Sequence, residues 1–217
     1  LESDYQRLLR KHARSADEVN FQTPFIYFAL HLEPESSTLP SAGVYSDQLL
    51  ALEQLSCACP PDWHILAKEN PKQNHFARDA YFFERLACLQ NVTLLQPDVP
   101  SDQLIDGARI VATINGTAGW EALCSGTPAI YFGHPWYREL PGAQQFSPDM
   151  DIRSIAETQI DHSCLEKQVS QLQDKMLRGV IFRKFEALCP EFDHNQNLDD
   201  CANEIALFLT RNGYLAR

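Results

Sequence analysis

The stretch 109–137, RIVATINGTAGWEALCSGTPAIYFGHPWY, constrains the fold more than any other part of the sequence. Residues 110–114 are a short apolar run rich in β-branched side chains, the pattern of a buried strand. Asn115, Gly116 and Thr117 follow at once, and 118–125 then carries helix formers with little to interrupt them. Gly126 suits the left-handed residue just past a helix end, and Pro128 cannot continue a helix. Residues 129–132 form a second apolar run. Strand, tight polar loop, helix and strand in so short a space make a βαβ crossover, which sets the two strands parallel. Open parallel sheets bind ligands beyond the carboxyl ends of their strands. Asn115, Gly116 and Thr117 stand at such an end, where free backbone N–H groups at a helix start favour an anion. The plainer reading is a capped turn whose glycine only lets the chain reverse.

The same alternation runs through the chain before this stretch. Residues 25–30, opened by Pro24, are continuously apolar and read as a strand covered on both faces, ending in the polar segment 31–38. Leu49, Leu52 and Leu55 give 47–58 helical spacing, 63–67 is the next strand, and it runs into 68–71. Residues 77–89 are helical, with Phe82, Phe83, Leu86 and Leu89 on one side, 92–95 is a short strand and 102–107 a short helix. Five strands alternating with helices predict an α/β domain with a parallel sheet and helices on both faces. After Pro141 the pattern changes, and 151–158, 164–188 and 198–212 read as helices with no strand between them. The expected organisation is a linker or interface helix over 1–22, where Tyr5, Leu8 and Leu9 form a weak stripe, followed by the α/β domain over 23–150. C-terminal helices over 151–217 are expected to pack on the same domain.

A formal net charge of −11 argues against a nucleic-acid role built on broad phosphate contacts, while leaving room for a nucleotide pocket that needs only a few local donors. No apolar run approaches the ~18 residues of a membrane span, and no secretory signal precedes the first strand. The seven cysteines (57, 59, 88, 124, 164, 189 and 201) are odd in number and scattered, with one lone CxC at 57–59 and no zinc spacing. Cys57, Cys59 and Cys124 in particular are expected to be reduced and not ligands, as in a cytosolic protein. The first residue is Leu rather than Met, so a piece of something longer is expected.

Three polar segments fall at predicted strand carboxyl ends: 31–38, 68–71 and 115–117. Loops far apart in sequence that meet along one sheet edge make a pocket. Lys68 is there a cation able to pair with a phosphate, or else a solvated surface lysine. Pro71 biases Asn70 away from helix and lets its amide face the cleft. Glu121 lies one helical turn after Thr117; a carboxylate there repels phosphate, so a sugar hydroxyl is its sensible partner, the alternative being a surface or capping role. His31, Glu33 and Glu35 are candidates for acid–base catalysis; lacking a second His or Asp at ligand spacing, they make a poor metal set. His134, Pro135, Trp136 and Tyr137 follow the last strand, where they stack on a base, wall the cleft or simply pack. No GxSxG, Walker loop or GxGxxG occurs.

At these residues the sequence resembles a known family. FALHLEPESSTLP is similar to the LHxQPE(A/S)TTxP signature of the bacterial capsule polysaccharide biosynthesis family, AKENP to its KEHP element, and INGTAGWEALCSGTPAIYFGHPWYRELPG to its GTxGxEAxxxGxPxxxFGxxWY block. Three ordered motifs spanning 25 to about 142 are far more specific than one alone. The family contains glycosyltransferases of the GT-B architecture, among them β-Kdo transferases that use a CMP-activated sugar held by a carboxyl-terminal Rossmann-like half. The resemblance therefore implies half of a GT-B fold: a Rossmann-like parallel sheet with helices on both faces and a helical C-terminal tail. It implies that Lys68, Glu69, Asn70 and Pro71, with Asn115, Gly116, Thr117 and Ala118, contact CMP, and that Glu121 holds its ribose. The departure is Asn70, where many relatives have His; an amide donates a hydrogen bond but carries no proton charge at neutral pH.

The implied function is donor binding in a glycosyltransferase that moves a sugar, Kdo from CMP-Kdo, onto a surface or capsular polysaccharide or its lipid linker. No metal and no cofactor are expected. The implied partners are the CMP-sugar donor, a glycan or glycolipid acceptor and an N-terminal domain of the same protein, with no nucleic acid. The implied place is the cytoplasm, with the full-length protein peripheral at the inner membrane. A nucleotide-sugar epimerase-like enzyme and a non-catalytic carbohydrate- or protein-binding module on the same fold are the alternatives.

Overall fold

The computed structural model describes residues 2–76, 78–180 and 191–214. The five apolar runs are strands: β1 Phe25–Ala29, β2 His64–Lys68, β3 Val92–Leu95, β4 Ile110–Thr113 and β5 Ala129–Tyr131. A sixth strand, β6 Ala143–Gln145, follows them. All pair in parallel in the order β3-β2-β1-β4-β5-β6, the doubly wound arrangement of a Rossmann-like sheet. β6 is an addition to the five strands expected from the sequence, and it precedes the helices expected from 151 onward. It lies at the sheet's edge, with Gln144 and Gln145 exposed, so no apolar run announces it.

The helices are α1 Glu2–His12, α2 Gln48–Ala58, α3 Ala80–Ala87, α4 Ser101–Gly107, α5 Thr117–Cys124, α6 Ile152–Ala156, α7 His162–Gln173 and α8 His194–Arg211. Aspartates start several of them by accepting orphan amides: Asp47 from Leu49, Asp79 from Phe82, and Asp151 from Arg153 and Ser154. The continuous apolarity of β1 is explained by two cores. Ile26 and Phe28 join Leu52 and Leu55 of α2 and Phe83 of α3 on one face, while Phe25 and Tyr27 join Leu104 and Ile105 of α4 and Ala122 of α5 on the other.

Helix α1, in the segment expected to be a linker or interface helix, packs into this domain. Tyr5 and Leu9 of α1 are buried in the first core, and Arg14 exchanges backbone bonds with Leu94 and Gln96 beside β3. One helix is expected over 164–188, but α7 stops at Gln173 and 174–180 is not helical, with Gly179 at φ +117°. Residues 181–188 of that expected helix, Ala77 of the expected 77–89 helix, and Cys189 lie outside the described residues. The chain divides into two compact units, Leu1–Glu166 and Lys167–Arg217. In the second, Asn197 of α8 bonds both the N–H and the C=O of Val180, at 2.7 and 2.9 Å.

Candidate functional site

Strand register brings the predicted loops together. Ala29 at the end of β1 lies abreast of Lys68 on one side and Thr113 on the other, so the chain leaves three neighbouring strands at one edge. Strand order reverses between β1 and β4, the switch point where open α/β sheets form a crevice. A cleft of about 380 Å³ opens there. From the β1 loop it is walled by His31 and Glu35, from β2 by Lys68, Glu69, Asn70 and Pro71, and from β4 and α5 by Asn115, Gly116, Thr117, Ala118 and Glu121. Glu33 is not on this wall. Ser37, within the expected 31–38 segment, is, as are Tyr27 and Ser101, which sequence reasoning passed over.

Lys68 is not a surface lysine: only 7% of it is exposed. Its Nζ donates to Ser101 Oγ at 2.7 Å, and Tyr27 Oη lies 3.5 Å from the same oxygen. Among the described residues no carboxylate comes within ion-pair distance of it. Burial lowers its pKa, with Asp102 and Asp98 opposing. A desolvated ammonium without a counter-ion is what an anionic ligand would complete.

The loop into α5 is fastened from every side. The Asn115 N–H donates to His31 Nε2 at 3.2 Å, and the Gly116 N–H to Thr113 Oγ1 at 3.1 Å. The Asn115 side chain donates to Ser37 O at 2.7 Å and accepts from the His134 amide, stapling the β1 and β5 loops together. Gly133 leaves room for it, since a Cβ there would stand 2.3 Å from Asn115 Oδ1. Tyr137, fully buried, donates to Gly116 O at 2.7 Å from behind, across Gly119, where a Cβ would meet the phenol oxygen at 2.2 Å. Tyr137 thus packs rather than stacks on a ligand. Two amides expected to be free, those of Asn115 and Gly116, are used internally. Those of Thr117 and Ala118 have no acceptor among the described residues and open the helix at the cleft.

His31 is a strut. A backbone amide can only donate, so Nε2 is the bare nitrogen and the ring proton sits on Nδ1, 3.4 Å from Ser37 Oγ. Burial pushes its pKa down to about 4, with Glu35 opposing and Arg78 adding to the fall. The unfolded chain binds a proton near pH 6.5 that the folded chain refuses until about pH 4. This contribution to stability is therefore complete above about pH 6.5 and is lost as pH falls towards 4, by at most about 1.4 kcal/mol per unit. Urea denaturation across that window should show the slope, and His31→Gln should flatten it.

Behind the cleft lies a buried ion cluster invisible to sequence reasoning. Arg78, just before α3, is 1% exposed; its Nε donates to Glu69 Oε2 at 2.7 Å, its Nη1 to Glu33 and its Nη2 to His31 O at 3.2 Å. Glu33 and Glu69 thus face the guanidinium, and the two carboxylates keep it charged against the cost of burial. Gln48 and Gln73 complete the frame by bonding the backbone of His31 and Glu33, at 2.7 and 2.8 Å to the amides. Asn70 spends its side-chain oxygen on the Lys72 amide, 3.0 Å away. Glu35 keeps a carboxylate on the wall that accepts only from Ser37 Oγ, at 3.0 Å, among the described residues. Among the described residues Cys57, Cys59, Cys88, Cys124 and Cys201 form no disulfide, and no described group of His, Cys, Asp and Glu is arranged to hold a metal. No described helix is long and apolar enough to cross a membrane.

These features define a Rossmann-like α/β domain with a polar, partly cationic cleft at its switch point. Residues 6–165 match the family model for capsule polysaccharide biosynthesis proteins, and the chain belongs to that family. Among solved structures it is similar to the KpsC β-Kdo 2,7 transferase of Thermosulfurimonas dismutans, at 19% identity and a TM-score of 0.44 over 72% of this chain and 52% of that one. It is also similar to Anabaena Alr3699/HepE in complex with UDP-glucose, at 14% identity and TM-score 0.43 over 81% and 54%. UDP-GlcNAc 2-epimerase of Methanocaldococcus jannaschii gives 10% and 0.45 over 80% and 50%. These likenesses are remote and concern the fold alone, and the chain spans about half the length of each structure. No curated protein matches it.

Proposed function

We propose that this chain is the donor-nucleotide-binding half of a glycosyltransferase of surface polysaccharide synthesis, and that its donor is a CMP-sugar, CMP-Kdo by family resemblance. The observation that carries this is the buried Lys68, without a carboxylate partner among the described residues, in one cleft with the open Thr117 and Ala118 amides. Together they offer one positive charge and two N–H donors to a phosphate. The charge balance supports a single phosphate. Lys68 is the one cation among the described lining residues, while Glu35 and Glu121 on the wall are carboxylates without cationic partners there. A diphosphate would bring a second negative charge that nothing described on the wall offsets. Glu121, one turn into α5, takes the ribose hydroxyls.

In transfer, the bond from the anomeric carbon to the phosphate oxygen breaks and one to an acceptor hydroxyl oxygen forms, the hydroxyl proton passing to a base. The negative charge that grows on CMP is held by Lys68 and the two amides. Of the three acid–base candidates, Glu35 borders the cleft free of a cation, Glu33 is committed to Arg78, and His31 is fixed in its neutral form. Acceptor binding belongs to the remainder of a full-length protein, so this chain alone should bind CMP without turning over.

A thermal-shift panel of CMP, UMP, UDP and GDP tests the reading. CMP should raise the midpoint more than UDP or GDP. Preference for UDP would favour an epimerase-like enzyme, and indifference to every nucleotide a non-catalytic module. Glu121→Gln should weaken CMP by about 1 kcal/mol and leave binding of inorganic phosphate, which lacks a ribose, unchanged by calorimetry.

A further inference from the structure

Lysine is a poor choice for a fixed contact, because its four-carbon stem carries rotamer freedom that binding would have to remove. In this cleft something has already removed it. The stem is buried, and the ammonium rests on the Ser101 hydroxyl at 2.7 Å. Ser101 is the first residue of α4, across the sheet edge from β2, and is itself half-buried. Tyr27, in the middle of β1, reaches the same hydroxyl from below at 3.5 Å. Three elements thus converge on one oxygen that accepts from both neighbours.

We propose that Ser101, steadied by Tyr27, is the positioning residue that holds the Lys68 ammonium charged and aimed at the ligand's phosphate. This rests on the reading of the cleft as a nucleotide site. The titratable groups around Lys68 are Asp98 before α4 and Asp102 in its first turn, which favour its ammonium form, and Glu69, Glu35 and Glu121 on the other walls, with Tyr27 and His31 uncharged at neutral pH. Burial works against the ammonium, and the aspartates are too far to form an ion pair, so the hydroxyl is its one short polar partner among the described residues. An accepting oxygen stabilises the charged form; without it, Lys68 should lose its proton at lower pH.

The test is a pH series of calorimetric CMP titrations on the full chain and its Ser101→Ala, Ser101→Thr and Tyr27→Phe variants. Ser101→Ala should weaken CMP about fivefold to tenfold at pH 7. It should also move the alkaline limb of binding to lower pH. Ser101→Thr, which keeps the hydroxyl, should restore both, and Tyr27→Phe should shift the limb in the same direction by less. Equal affinity and an unmoved limb in Ser101→Ala would overturn the proposal. The Lys68 ammonium is followed in parallel by NMR without ligand. If wild type ignores CMP, the nucleotide reading fails, and the positioning role is decided by that titration alone: a lower midpoint in Ser101→Ala upholds it and an unchanged one refutes it.

Discussion

Replacing Arg78 with alanine should cost about 3–5 kcal/mol of folding stability, the loss found when one partner of a buried ion cluster is removed. The guanidinium is buried and pairs with Glu33 and with Glu69, whose side chain is fully buried too. Its removal leaves the Glu33 and Glu69 carboxylates without their shared cation and the His31 carbonyl with Gln48 Nε2 as its remaining donor. A cavity term adds to this, since Arg78 also lies over the Phe82 ring at 4.3 Å. Because domains of this kind are stable by only about 5–15 kcal/mol, the variant should sit near its unfolding threshold at room temperature. Urea denaturation reads the effect as a fall in midpoint. Adding Glu33→Gln and Glu69→Gln to Arg78→Met should return much of the loss, because the uncompensated charges then disappear. A loss below about 1 kcal/mol in Arg78→Ala would mean that the cluster is wet and the frame behind the cleft is held by other groups.

Lys68→Ala should weaken CMP by roughly 1.5–3 kcal/mol, a fall of tenfold or more in affinity, as expected for losing a charged hydrogen bond to phosphate. Its effect on folding should be small or slightly favourable. The ammonium is desolvated, its pKa is lowered by burial, and it has no ion-pair partner among the described residues, so the fold gains little from it. That separation of effects is diagnostic: a purely structural lysine would lose stability and leave affinity alone. Calorimetry alongside urea denaturation decides between them. Unchanged affinity in a folded Lys68→Ala variant would place the phosphate elsewhere.

Much of this architecture is legible in the sequence because parallel strands covered on both faces leave continuous apolar runs. The runs in 25–29, 65–67 and 110–112 are of this kind, and the polar residues that follow them mark the sheet edge carrying the cleft. Glycines and prolines set the crossover: Gly126, at φ +83°, stops α5 where its position suggested. What escaped were interactions between residues far apart in the chain. Arg78 stands nine residues from Glu69 and 45 from Glu33 and reads locally as a charge before a helix. Ser101 looks like an ordinary helix start, and only the sheet brings it under Lys68, 33 residues away. β6 has one small and two polar side chains at an exposed edge, so neither period nor hydrophobicity marks it. The polar loop 115–117 was legible as a site, yet which of its amides are free depends on His31 and Thr113, which the fold supplies.

The most direct test of the central claim is to watch the backbone amides of α5 by NMR while CMP is added to the chain. The amides of Thr117 and Ala118 should move most, as each gains a charged acceptor. Those of Asn115 and Gly116, already bonded to His31 and Thr113, should move less. Binding of CMP that left Thr117 and Ala118 unmoved, or no response to CMP at any accessible concentration, would contradict the assignment of this switch-point cleft to a donor nucleotide.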